Sequence, residues 1–145
     1  MEIYTLSLRL PLYSRLVGND EWERVIEISA GASLSILHSF IREIADFDDD
    51  HCYMFFAGRS PTNRKIIFSE ETGTPCSSGN YGNVSLNEIY PLNGLKLYYL
   101  YDFGDRWLFE IRRIRKKKVA IEGIMYPRIL ESTGRNPDQY NEWSS

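Results

Sequence analysis

Six basic residues occupy seven positions at Arg112, Arg113, Arg115, Lys116, Lys117 and Lys118, interrupted only by Ile114. Guanidinium and ammonium groups at this density neutralise phosphates, so the run suits an anionic partner such as nucleic acid. It equally suits a solvated strand end whose charge discourages edge-to-edge pairing. No aromatics interleave it, which argues against a specific single-strand reader. A second set, His51, Asp102, Asp105 and Glu110, combines one imidazole with carboxylates. Such a set can hold a divalent metal and activate a water, the chemistry of a metal-dependent hydrolase or nuclease. It requires the strand after His51 to lie beside the segment that carries the acids. Asp105 and Glu110 are five apart, an odd spacing that puts them on opposite faces of an extended strand unless a bulge intervenes. The heavier reading is non-enzymatic, with no catalytic residue and no metal or cofactor.

The segment YDFGD, Tyr101 to Asp105, has the form of a tight hairpin. Gly104 can take a positive φ, and Asp102 or Asp105 can bond nearby backbone, so the chain turns sharply between two apolar strands. Asp102, Gly104, Asp105 and Trp107 would shape this hairpin and a neighbouring surface groove. The flanking segments, 95–101 and 106–114, are apolar on both faces and read as central strands. Upstream, residues 2–12 alternate Tyr4, Leu6, Leu8 and Leu10 with Ile3, Thr5, Ser7 and Arg9. Residues 21–29 place Trp22, Ile26 and Ile28 on one face and Glu23, Val25 and Glu27 on the other. The two segments form an N-terminal hairpin.

Ser33 is a candidate helix N-cap. Leu34, Leu37, Ile41 and Ile44 then recur at the period of a helix that buries one face. The acids Asp46, Asp48, Asp49 and Asp50 oppose the negative end of the helix, so the helix stops before them, near Phe47. His38 sits beside the buried stripe and reads as a hydrogen-bonded imidazole at the core edge. Residues 51–57 and 64–68 read as two further strands, and the polar stretch 69–83 as the longest loop. Leu86, Ile89 and Leu92 mark a short helical turn before the strand at 95. Beyond Tyr126 the chain is polar with scattered apolar residues. These elements predict a small α+β roll with a mixed or antiparallel sheet of five or six strands and one main helix. It forms a single domain over 1–130, followed by a polar tail over 131–145.

With 145 residues and 43% hydrophobic content, the chain can bury a core without staples. Twenty aromatic residues, among them ten Tyr, favour sheet over helix. Cys52 and Cys76 lie 24 residues apart and form no CxxC pair, so neither a zinc site nor a disulfide framework is expected. Gly-rich phosphate cradles, HExxH, GxSxG and EF-hand patterns do not occur. The N-terminus lacks the pattern of a signal peptide, and no apolar stretch reaches the ~18 residues of a membrane span. A cytoplasmic protein with no membrane partner is expected. The net charge of −3 gives no general attraction for polyanions, so any such attraction must be local.

Three motifs together resemble the plasmid pRiA4b ORF-3-like family, some members of which are described as TnpR-type passenger proteins of insertion elements. The family pattern YDFGDxWxHxI is similar to residues 101–111 here, with Phe109 in place of its His. A helix followed by an acidic turn and an HLHEF-type strand corresponds to 48–55, where His51 is kept and Tyr53 and Met54 replace the second His and the acid. A Tyr-Pro-Arg step at 126–128 leads into Gly134-Arg135-Asn136-Pro137-Asp138-Gln139-Tyr140. The resemblance implies an α+β fold and an association with mobile elements. It does not extend to recombinase chemistry, which needs a nucleophile among several activating arginines in a larger catalytic domain, and Tyr101, in a buried strand beside Asp102, is a poor candidate. The function expected is therefore a binding or interaction module that contacts nucleic acid or a protein partner.

Overall fold

The computed structural model describes residues 1–10, 22–47, 53–68, 84–101, 107–116 and 118–136. Strand β1 (Glu2–Arg9) and strand β2 (Glu23–Ser29) pair antiparallel, with Ile3 opposite Ser29 and Arg9 opposite Glu23. Their alternation sends Tyr4, Leu6, Leu8, Ile26 and Ile28 into the main core. The opposite face, which carries Thr5, Ser7, Val25 and Glu27, is buried as well.

Helix α1 (Leu34–Ile44) starts where Ser33 Oγ accepts the Ile36 N–H at 3.2 Å. That bond satisfies one of the donors that a helix N-terminus leaves without a partner. Leu34, Leu37, His38 and Ile41 face the sheet. The helix ends at Ala45, and Asp46 reverses the chain with φ 60°. The Arg42 guanidinium then donates to the Phe47 carbonyl at 3.1 Å. The stop comes before the acid cluster, as expected from the helix dipole.

Strands β3 (Tyr53–Ser60) and β4 (Asn63–Phe68) form a second hairpin. A single-turn helix α2 (Leu86–Ile89) is tied to the start of α1, where the Leu34 N–H donates to the Val84 carbonyl and the Leu86 N–H to the Ala32 carbonyl, both at 2.9 Å. Asn93 and Gly94, with φ 52° and 92°, turn the chain into β5 (Lys96–Tyr101). Glycine suits the second of these positions because a φ of 92° strains any residue that carries a Cβ. Strand β6 (Trp107–Arg113) returns beside β5, with Tyr101 opposite Trp107. The turn residues Asp102, Gly104 and Asp105 lie outside the described residues. Tyr99, Tyr101, Phe55 and Phe109 face α1, whereas Phe56, Tyr98, Leu100 and Leu108 form a smaller cluster on the other face. That two-sided burial explains why these strands read as apolar throughout.

The short strand β7 (Lys118–Val119) pairs with the start of β1, and β8 (Arg128–Thr133) pairs with β2. The sheet order is β4-β3-β5-β6-β1-β2-β8, with β7 beside β1, and every pairing is antiparallel. This corrects the expected fold class. Among the described residues 53% lie in strands and 15% in helices, so the molecule is one eight-stranded antiparallel sheet with two short helices. It is not a mixed α+β roll of five or six strands.

The two strands not expected from the sequence are β7 and β8. Both lie largely in solvent and bury no alternating apolar face. Arg24 of β2 and Trp22 just before it hold β8 and the residues after it instead. Arg24 donates to the Thr133 carbonyl at 2.6 Å and the Gly134 carbonyl at 2.9 Å, and Trp22 Nε1 donates to Asn136 Oδ1 at 2.8 Å. No periodicity within β8 reports such bonds.

Candidate anion-binding groove

The basic run begins inside β6 and continues past its end. On one side β6 stays paired with β1 through Arg113, and the Ile114 N–H donates to the Thr5 carbonyl at 3.0 Å. On the other side β5 starts only at Lys96, and its first partner is Leu97 opposite Ile111. Past Ile111, then, the end of β6 faces the loop 90–95 instead of a strand. The gap between them is a groove of about 710 Å³, walled by residues 90–96 and 111–116. Lys96, Arg112, Arg113, Arg115 and Lys116 line it, and among the described residues no carboxylate does. Cations gathered in this way concentrate positive potential locally, even on a molecule of net negative charge.

The lining cations differ in their engagements. Arg113 lies 4.5 Å over the ring of Tyr4, which meets Tyr90 edge-on at 5.9 Å between centroids. Arg115 pairs with Glu131 at 3.0 Å, and Lys96 approaches Glu110 at 4.0 Å. Among the described residues Arg112, Arg113 and Lys116 form no ion pair. The Tyr90 hydroxyl is buried in the groove wall and has no hydrogen-bond partner among those residues. Burial pushes its phenol above the ordinary range, against a smaller opposing pull from Arg113.

Lys118 leaves the run. It crosses to the face of the sheet that carries Thr5 and engages Glu27 Oε2. Arg128 Nε donates to Glu27 Oε1 at 2.6 Å. Glu27 is fully buried, whereas its two partners are 43% and 35% exposed. Burial alone would raise the Glu27 carboxyl, but the bonds and charges of Lys118 and Arg128 outweigh it and hold the group below the usual carboxylate range. Lys118 therefore fastens β7 to the sheet, a role distinct from the groove. Lys117 lies outside the described residues.

Comparison with known sequences decides what kind of chain this is. A sequence model described as plasmid pRiA4b ORF-3-like protein matches residues 6–140. The chain belongs to that family. No curated protein matches it. A protein of unknown function, MM3350 from Methanosarcina mazei Go1, has a similar fold, with a TM-score of 0.66 and 22% identity over 90% of this chain and 68% of that one.

In the pRiA4b ORF-3-like hairpin motif, Trp107 is half-buried and packs against Phe47, with centroids 5.2 Å apart. Phe109 is fully buried beside Trp22 and Tyr99, so the position where the family pattern has His is a core position here. Glu110 points to the opposite face, toward Lys96 and Tyr98. Its charge and the burial of Tyr98 both raise the Tyr98 phenol, burial the more. His51, Asp102 and Asp105, the other members of the possible metal set, lie outside the described residues. Among the described residues no three His, Cys, Asp or Glu side chains gather in a way that could hold a metal. His38 is buried, with Nδ1 2.6 Å from the Tyr99 hydroxyl and its ring stacked on Tyr53. No described helix is long and apolar enough to cross a membrane.

Sequence reasoning missed Lys96, Tyr90 and Glu27. The first two join the groove only because β5 starts late, a fact of register that local pattern does not carry. Glu27 sits at an alternating position that reads as solvent-facing. The cations that cover it come from about a hundred residues downstream.

Proposed function

We propose that this chain is a non-enzymatic binding module, associated with mobile elements, that contacts nucleic acid through the groove at the end of β6. The observation that carries the reading is a concave site lined by five cations, three of which form no ion pair among the described residues. Phosphate is the anion such a lining suits, because guanidinium groups donate to its oxygens in pairs. The family's description as plasmid-borne agrees with a nucleic-acid setting. The alternative, a metal-dependent hydrolase or nuclease using His51, Asp102, Asp105 and Glu110, gains nothing from its one described member, since Glu110 faces Lys96.

The test is fluorescence anisotropy with labelled DNA and RNA of random sequence at low salt. Wild type should bind, and affinity should fall steeply as salt rises. Arg112→Glu with Lys116→Glu, both at exposed positions, should abolish binding without shifting the unfolding midpoint. If neither protein binds at low salt, the reading is wrong.

A further inference from the structure

We infer that the groove accepts a single-stranded nucleic acid in preference to a duplex, a conclusion that rests on the reading above and specifies its ligand. Duplex recognition places a protruding element, a helix or a β-ribbon, into a major groove about 12 Å wide. Here the relief is inverted. The cations line an open concavity of about 710 Å³ between the loop 90–95 and the end of β6. A single phosphodiester strand can enter such a trench, whereas a rigid duplex touches only its rim.

The walls agree with this assignment. Pro91, Leu92 and the 41%-exposed Ile114 give apolar surface beside the cations. Proteins that bind single strands without sequence preference pair a cationic track with aromatic side chains on which bases stack, and here apolar side chains stand beside the track instead. Tyr90 adds a hydroxyl in the same wall that has no partner among the described residues. The three cations without an ion pair among those residues, Arg112, Arg113 and Lys116, set the charge count at about three phosphates. On single strands each neutralised phosphate contributes roughly 0.7 to the slope of log K against log salt, so a slope near −2 is expected.

The experiment compares a labelled single-stranded DNA oligomer, the RNA of the same sequence and the corresponding duplex. Each is titrated with the full chain at several salt concentrations, with inorganic pyrophosphate as competitor. The inference expects the single strands to bind at least about tenfold tighter than the duplex, with the slope above. It also expects Arg112→Glu with Lys116→Glu to remove that binding while circular dichroism stays unchanged. A duplex that binds as tightly as the single strand would overturn the inference and leave the nucleic-acid reading standing. Pyrophosphate displacing the strand at equal phosphate concentration would overturn it in favour of a small-phosphate pocket. Absence of binding by all three nucleic acids would overturn the inference and the reading beneath it together.

Discussion

Glu27 shows most sharply how one residue sets local structure. A carboxylate taken fully out of water is costly unless it is paired and hydrogen-bonded, and Lys118 and Arg128 supply both. Glu27→Gln keeps the shape and removes the charge. We expect it to lower stability by about 2 kcal/mol at neutral pH, the scale of a charge-assisted hydrogen bond. The pH dependence follows from the direction of the shift. The folded-state carboxyl lies below its unfolded value, so its contribution is fully present above the unfolded pKa, about 4.3, and is lost as pH falls through the folded one. Urea unfolding of both proteins at neutral and acidic pH should show the gap closing on acidification, and a gap independent of pH would contradict the assignment. The sequence could not reveal this pair, because alternation in β2 reports two faces without saying that both are covered. His38 was more legible. A lone imidazole beside a helical stripe has few choices besides a polar neighbour, and Tyr99 is that neighbour.

At the scale of elements, legibility followed burial except at β4, which is largely exposed yet was read at 64–68. Strands β1, β2, β3, β5 and β6 and helix α1 each bury an apolar face, and each was visible from its period in the chain. Ser33 was legible for a different reason, its chemistry at the boundary of that period. Ser33→Ala should cost about 1 kcal/mol in thermal or urea unfolding, and a neutral result would mean that the cap adds nothing once the bridge between Ser33 and Ser85 has formed. The hairpin of β3 and β4 holds a stricter constraint. The pairing shifts register at Gly58, and a Cβ there would collide with the backbone carbonyl of Asn63. Backbone yields less readily than a side chain, so Gly58→Ala should destabilise by at least about 1–3 kcal/mol or disrupt the β3–β4 hairpin. Strands β7 and β8 stayed hidden because their stability is lent by Arg24, Trp22 and Glu27 of β2 and the chain before it.

At the scale of the whole molecule, the basic run was plain in the sequence, but its division was not. Four of its residues enter a groove, one turns to a buried carboxylate, and the groove's second wall comes from a loop some twenty residues earlier. A net charge of −3 hides this local field, which exists because the sheet gathers Lys96 and the end of β6 around one concavity. The central claim is that this concavity is where an anionic strand binds. The most direct measurement is a backbone amide chemical-shift map of the labelled chain during titration with a single-stranded oligonucleotide. The account predicts perturbations concentrated in residues 92–96 and 111–116, saturating together, with little change along β4. Perturbations centred elsewhere, or none at low salt, would contradict it.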